Sequence, residues 1–357
     1  MAALNVKTPE GQYPIVIQTG LLADIGTAAE MHGLTGHTLV ITNTDIATLY
    51  GEAVVHALPN ASLAIMSDGE QYKTLATVEA LYGDMVKAGL DRGSTVIALG
   101  GGVVGDTAGF AAATYMRGVR LVQIPTSLLA MVDSSVGGKV GVDLPQGKNL
   151  AGAFKQPERV LIDPTVLRTL PERELRCGMA ELIKHGLIAD TSLVDSAVRL
   201  FKHEIGSDDF LADLAAMLPA AIQVKIRIVE QDPYEANIRA YLNLGHTFAH
   251  AIEQVSEYRC LHGEAVGVGL IGAARLSQRI GLCGADTAQV VEDLVRNIGL
   301  PTRIGDMDVE AIYAAMATDK KWKGGRSRFV LLEAIGKPCI VENVPFEDVI
   351  AVLQGLQ

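Results

Sequence analysis

Short apolar runs alternate with helical patterns through the first half of the chain. The runs "YPIVIQTG", "TLVITN", "SLAIMSDG", "STVIALGGG" and "RLVQIPTS" are rich in Val, Ile and Leu and end in Gly, Asn, Asp or Ser, which predicts strands. Between them, "TLATVEALYGDMVKAGL" repeats apolar residues at helical spacing. Strand and helix in turn predict a mainly parallel sheet covered by helices. From about Arg173 long helical segments dominate, among them "GMAELIKHGLI", "LADLAAMLPAAIQVKIRIVEQD" and "GEAVGVGLIGAARLSQRIGL". One short β-like stretch, "SRFVLLEAIGKPCIVENV", follows late. Pro171 punctuates the change, so the sequence divides into an α/β domain over residues 1–172 and a mainly helical domain over 173–357. No internal repeat or low-complexity tract interrupts either part.

Composition narrows the partners. At 357 residues, 49% hydrophobic and 20% charged, the chain has ample core for two domains. A net charge of −11 argues against a general nucleic-acid or anionic-membrane binder, so an anionic ligand must be held by a local group of Lys and Arg. Cys177, Cys260, Cys283 and Cys339 lie far apart with no CxxC pair, which suits reduced thiols in a cytoplasm. The N-terminal stretch lacks a cationic region followed by an apolar one, and longer apolar stretches are broken by Gly or charge. A soluble, cytoplasmic protein with no membrane partner is the expectation.

The run "STVIALGGGVVGDTAGF" places G-x-G-x-x-G at Gly100, Gly102 and Gly105, after a strand and before a helix. Such a turn lets backbone N–H groups and a helix N-terminus approach a pyrophosphate, although glycine turns also arise for steric reasons alone. It lies about a hundred residues into the chain, and Arg120 stands near the place where a dinucleotide fingerprint carries an acid. Next comes "IPTSLLAMVDSSVGGKVGVDLPQGKNL", a turn-rich stretch with Thr126, Ser127, Asp133, Lys139, Lys148 and Asn149. Two lysines beside glycine turns suit phosphate or carboxylate groups, and so apolar a loop is unusual as mere solvent padding.

Arg239, Asn243, His246 and His250 are spaced four, three and four apart in "RAYLNLGHTFAH". They form one stripe if a helix reaches back past Gly245. A lone histidine there would read as a core residue; four polar groups in register point to a site, without deciding between metal and substrate. "GMAELIKHGL" adds Glu181 and Lys184 one turn apart, and "LHGEAVGVGL" adds His262. One carboxylate and two imidazoles make the ligand set of a catalytic zinc that keeps a position open. There is no HExxH, so a zincin protease is not indicated.

Taken in order, "SDGEQYK", "GGGVVGD", "YMRGV", "IPTSLLAMVDSSVGGK", "GKN", "GMAELIKHG", "LNLGHTFAH", "LHGEA" and "DKKW" resemble the 3-dehydroquinate synthases, from about Asp68 to Lys323. The resemblance implies an α/β, Rossmann-like NAD-binding domain followed by a mainly α-helical metal-binding domain, assembled as a homodimer. It implies conversion of the phosphorylated sugar acid 3-deoxy-D-arabino-heptulosonate 7-phosphate to 3-dehydroquinate and phosphate, a step of the shikimate pathway. The metal, Zn²⁺ or alternatively Co²⁺, would be held by Glu181, His246 and His262. Substrate contacts would come from Lys139, Lys148, Asn149, Lys184, Arg239, Asn243 and His250, from Arg117 across the dimer interface, and from Lys320 or Lys321. For NAD it implies Asp68, Glu70 and Lys73, then Gly102, Val103, Val104, Gly105 and Asp106, then Thr126 and Ser127. Asp133, Lys139 and Lys148 join that set, with Val166, Leu167, Arg168 and Thr169. His185 departs from the aromatic residue of many relatives and is read as a core or outer neighbour of the metal. The alternatives are another sugar-phosphate cyclase and a metal-dependent polyol dehydrogenase, which would accumulate NADH and has no need of so many phosphate-binding cations.

Overall fold

The apolar runs become strands of one seven-stranded sheet in a computed structural model that describes residues 1–27, 36–317 and 327–357. The chain divides into two units, Met1–Leu170 and Pro171–Gln357. The division falls just ahead of the 172/173 boundary because Pro171 caps the helix that starts at Glu172.

In the first unit the strands are β1 (Ala2–Thr8), β2 (Gly11–Ile17), β3 (Thr38–Asn43), β4 (Ala61–Met66), β5 (Thr95–Gly100) and β6 (Arg120–Pro125). A hairpin of β7 (Lys139–Leu144) and β8 (Gly147–Phe154) precedes β9 (Arg159–Ile162). The large sheet runs β1-β2-β9-β6-β5-β3-β4 and is parallel except where β1 meets β2. Register sorts its side chains into two faces. Leu39, Val96 and Leu121 align across β3, β5 and β6, and they pack on Val78, Leu81 and Met85 of α1 (Leu75–Lys87) and Ala108, Ala111 and Ala112 of α2 (Gly102–Thr114). Their neighbours Val40, Ile97 and Val122 face Leu21, Ile25, Val54 and Leu58 instead. Strands buried on both faces read as continuous apolar runs, which is why they are visible in the sequence. Because β4 and β5 flank β3, chain order reverses between β3 and β5, the kind of switch point at whose carboxyl ends open α/β sheets bind ligands.

The stretch 126–149 is not the long loop its turn residues predict. It folds as a helical turn, Ala130–Ser134, and the β7–β8 hairpin, which places Lys139 at the start of one strand and Lys148 and Asn149 at the start of the other. Gly141 and Gly152 face each other there; a Cβ on either would lie 2.8 or 2.7 Å from a backbone oxygen of the opposite strand. Glycines in a closely paired hairpin look like turn signals when read singly. β1 alternates exposed with more buried positions and β9 spans only four residues, so neither shows the long apolar run that marks the other strands of the sheet.

The second unit contains α3 (Glu172–Ala189), α4 (Thr191–Leu200), α5 (Asp208–Gln231), α6 (His246–Val255), α7 (His262–Arg279), α8 (Ala285–Ile298) and α9 (Val309–Ala317). The late β-like stretch forms a hairpin, β10 (Arg328–Ala334) with β11 (Lys337–Glu342), before α10 (Phe346–Gly355). α7 is the centre: it packs against α3, α6, α8, α10 and β10. No described helix is long and apolar enough to cross a membrane.

Candidate active site

Three helices meet through glycines, and the contacts fix where the polar groups stand. Where α7 crosses α3, a Cβ on Gly263 would lie 2.3 Å from the Cys177 Cα. Where α7 crosses the start of α6, a Cβ on Gly269 would lie 2.3 Å from the Gly245 carbonyl oxygen. Gly245 is itself left-handed, at φ 79°, a conformation that a side chain would strain. Glu181 lies one turn beyond Cys177, His262 adjoins Gly263, and His246 adjoins Gly245. Each polar group thus sits within a turn of a backbone-to-backbone contact, where there is little slack.

One ligand atom from each of Glu181, His246 and His262 lies within 4.8 Å of the others. The Glu181 Oε1 is 3.5 Å from the Nε2 of both imidazoles, too far for a strong hydrogen bond. Two ligand atoms, each about 2.0–2.1 Å from one tetrahedral ion, would stand about 3.4 Å apart. The donor set and its spacing therefore fit zinc. His246 directs Nδ1 at the Leu244 carbonyl, 3.2 Å away, and His262 directs Nδ1 at Glu253 Oε2, 3.3 Å away, so both Nε2 atoms face the carboxylate.

Charge is arranged to suit a cation. Glu181 is 1% exposed and ion-paired with the equally buried Lys184. Burial opposes its charge, but Lys184, His262 and His246 outweigh that and hold the carboxyl well below the usual range. Burial, with the Lys184 ammonium, pushes His246 well below the ordinary histidine value, so it stands neutral as a ligand must. Burial also opposes a proton on His262; Glu181 and Glu253 outweigh it, and its pKa is pushed up to about 10. A metal would therefore displace a proton from His262.

His250 lies outside this triad. It is exposed, and its ring centroid is 5.4 Å from that of His246 and 6.4 Å from that of His262. Arg239 and Asn243 do not share its helix, so the helix does not reach back past Gly245 as a single stripe would require. They belong to a 3₁₀ segment, Ile238–Asn243, because left-handed Gly245 ends the regular backbone before α6 begins. Asp232, at the end of α5, anchors that segment by accepting the N–H groups of Ala236, Asn237 and Arg239 at 2.8, 2.7 and 3.0 Å. Glu235 accepts from Asn243 Nδ2 at 2.7 Å. His185 is fully buried within α3.

The three N–H donors set a pH dependence. Burial raises the Asp232 pKa, but the donors outweigh it and the carboxyl sits below its ordinary 3.8. A depressed folded pKa means the stabilisation is full above the unfolded value and lost as pH falls through the folded one. Asp232→Asn is expected to cost about 1–3 kcal/mol at pH 7. The gap from wild type should narrow below pH 3.8. Urea melts at both ends of that range check this, and an unchanged gap would contradict it.

In the first unit the glycine run joins β5 to α2 at the carboxyl end of β5, beside the switch point. Gly101 caps the helix in extended backbone, and the buried Thr126 donates its N–H to the Gly100 carbonyl at 2.9 Å. A Cβ on Gly105 would lie 2.9 Å from Gln123 Oε1, so the third glycine serves helix-on-strand packing. Around the run, Lys73 pairs with Asp106 at 2.6 Å and Lys148 with Glu70 at 3.6 Å. Burial lowers the Lys73 pKa, but Asp106, Glu70 and Asp143 outweigh it and raise it. Ser127 and Asp133 are half-buried, while Arg117 and Lys139 are exposed. Val104, Val166 and Leu167 turn their side chains into the core, which leaves their backbone and the exposed Arg168 and Thr169 for any ligand. Lys320 and Lys321 lie outside the described residues.

Family models for the 3-dehydroquinate synthase N-terminal and C-terminal regions match residues 63–177 and 178–322. A 3-dehydroquinate synthase from Crocosphaera subtropica is 41% identical over 362 residues, covering 100% of this chain and 99% of that one. Another, from Picosynechococcus sp., is 44% identical over 361 residues, covering 99% and 98%. The chain belongs to the 3-dehydroquinate synthase family. Two solved structures extend the likeness. A 2-epi-5-epi-valiolone synthase from Streptomyces hygroscopicus with NAD⁺ and Zn²⁺ bound has a TM-score of 0.87 at 29% identity and 96% coverage of each chain. A 2-deoxy-scyllo-inosose synthase complexed with carbaglucose-6-phosphate, NAD⁺ and Co²⁺ has a TM-score of 0.86 at 25% identity, with 100% coverage of each.

Several polar residues of this family member are placed by contacts that appear only in the folded chain. Asn43 donates to Asp68. Asp143 donates its N–H to the Lys73 carbonyl and accepts that of Asn149, at 2.8 and 2.7 Å. Lys225 is buried on α5, where a single lysine in an amphipathic helix looks solvated. Glu253 had a usable signal: it follows His246 by seven residues, two helical turns on the same face.

Proposed function

We infer that this chain catalyses the 3-dehydroquinate synthase reaction, converting 3-deoxy-D-arabino-heptulosonate 7-phosphate to 3-dehydroquinate and phosphate. The observation that carries the reading is 41–44% identity along essentially the whole chain to enzymes of that name. Glu181, His246 and His262 would hold the metal, and the β5–α2 turn the nicotinamide cofactor. When bound, NAD takes and later returns a hydride while the metal polarises the substrate alcohol being oxidised.

The protein's own groups then bind, orient and move protons. Lys184, buried against Glu181, keeps a cation at the site without exposing it to water. Asn243, fixed by Glu235, and Arg239, held by Asp232, are assigned to substrate oxygens. His250 is assigned to proton transfer, since it is exposed and stands beside two ligand rings. We assign Lys139, Lys148 and Asn149 to anionic ligand groups. Cofactor contacts are assigned to Asp68, Glu70, Lys73, Asp106, Thr126, Ser127, Asp133 and the backbone at 102–105 and 166–169. A homodimer, with Arg117 serving the partner's site, and a cytoplasmic location that suits four free thiols complete the proposal.

Incubation with the heptulosonate phosphate and catalytic NAD, followed by phosphate assay and product identification, tests the activity. His250→Ala is expected to keep its metal while turnover falls about 10²–10⁴-fold. Loss of metal in that variant would show that His250 belongs to the ligand set.

A further inference from the structure

Both imidazoles of the metal triad have their outer nitrogen engaged, but by different means. His246 uses the Leu244 carbonyl, a backbone group two residues away. His262 uses a side chain: Glu253 Oε2 lies 3.3 Å from its Nδ1, while its Nε2 points to Glu181. Glu253 is 3% exposed, and burying a carboxylate so completely is costly unless it is engaged. Its position is set by the end of α6. The Glu253 carbonyl accepts the N–H of Tyr258 at 2.8 Å and the hydroxyl of Ser256 at 3.0 Å, closing a turn in which Glu257 and Tyr258 are both left-handed. The turn fixes the Glu253 backbone, and burial beside His262 confines its side chain.

We propose that Glu253 is a positioning residue of the metal centre, fixing the ring of His262 so that Nε2 is presented to the ion. The inference rests on the reading of Glu181, His246 and His262 as ligands. A carboxylate accepting from Nδ1–H selects the tautomer whose lone pair lies on Nε2 and stops the ring from flipping. His262 needs this more than His246 does. It stands at the first position of α7 with its side chain 36% exposed, against 10% for His246, so packing alone restrains it less. Removal of such an outer partner typically weakens metal binding by about 10–100-fold.

The test uses the full-length protein, stripped of metal and titrated with Zn²⁺ against a chelator of known affinity. Glu253→Ala is expected to weaken Zn²⁺ binding towards a hundredfold. Glu253→Gln, which keeps an oxygen acceptor of the same reach but loses the charge, should weaken it about tenfold. Melting of the metal-free variants is read alongside: a carboxylate that only stabilised the fold would lower the melting temperature and leave the Zn²⁺ affinity alone. Affinities within twofold of wild type in both variants overturn the proposal. If Glu253→Ala does not fold, Glu253→Gln decides by the same criterion. A wild-type protein that binds no Zn²⁺ overturns the ligand assignment and this inference with it, whereas normal wild-type binding with unaltered variants overturns this inference alone.

Discussion

His246→Ala is expected to lose bound metal and turnover together. The substitution leaves Glu181 and His262, and two ligands make a poor zinc site. Lewis-acid polarisation of a substrate oxygen is worth several kcal/mol, and about 1.4 kcal/mol is a factor of ten, so activity should fall on the order of 10³-fold or more. The fold should survive, because the ring lies at the start of α6 and the packing of that helix rests on Phe248, Ala249 and Ile252, each about 1% exposed or less. Metal analysis of the purified variant beside its turnover checks both halves. Full metal occupancy would remove His246 from the ligand set.

Gly263→Ala is expected to damage the same centre without touching a ligand. Its new Cβ would lie 2.3 Å from the Cys177 Cα and 2.4 Å from the Cys177 carbonyl oxygen, both backbone atoms that cannot rotate away. α7 must then shift from α3, which carries His262 away from Glu181. Overpacking of this kind costs about 3 kcal/mol, and metal affinity should fall with stability. Gly83→Ala is the control. It lies in α1 with nothing within 4 Å of the added Cβ, and should be neutral or stabilising by about 0.5–1 kcal/mol. Urea melts and metal titrations of the two variants decide; a Gly263→Ala protein as stable as wild type would show that the helix crossing has room to spare.

These contacts also explain what could and could not be read from sequence. Strands β3, β5 and β6 were legible because both faces are covered, leaving unbroken runs such as Val96 to Leu99. A carboxylate and imidazoles were legible as metal-ligand types in short helical motifs, but the choice of Glu181, His246 and His262 over His250 came from the family resemblance; folding brings those three to one point. Spacing alone left the backbone before Gly245 open, as helix or loop. It counts residues but does not register a left-handed backbone, so it could not decide that the helix begins only at His246 and leaves Arg239 and Asn243 outside it. It failed at the β7–β8 hairpin, where paired glycines imitate loop residues. Asn43 and Asp143 act through partners that only folding brings near, and no single-chain pattern announces such pairs, whereas Glu253 lies on the His246 face of α6, where helical spacing does mark it.

In the proposed reaction NAD is a catalyst and not a co-substrate. This is tested by supplying the heptulosonate phosphate in large excess over NAD, about a hundredfold, and following phosphate and the absorbance of reduced nicotinamide together. Many phosphates are expected for each NAD, with 3-dehydroquinate as the product and no steady accumulation of NADH. Phosphate release that stops at one per NAD, or NADH formed in step with product, would contradict it and move the chain to a dehydrogenase of the same architecture.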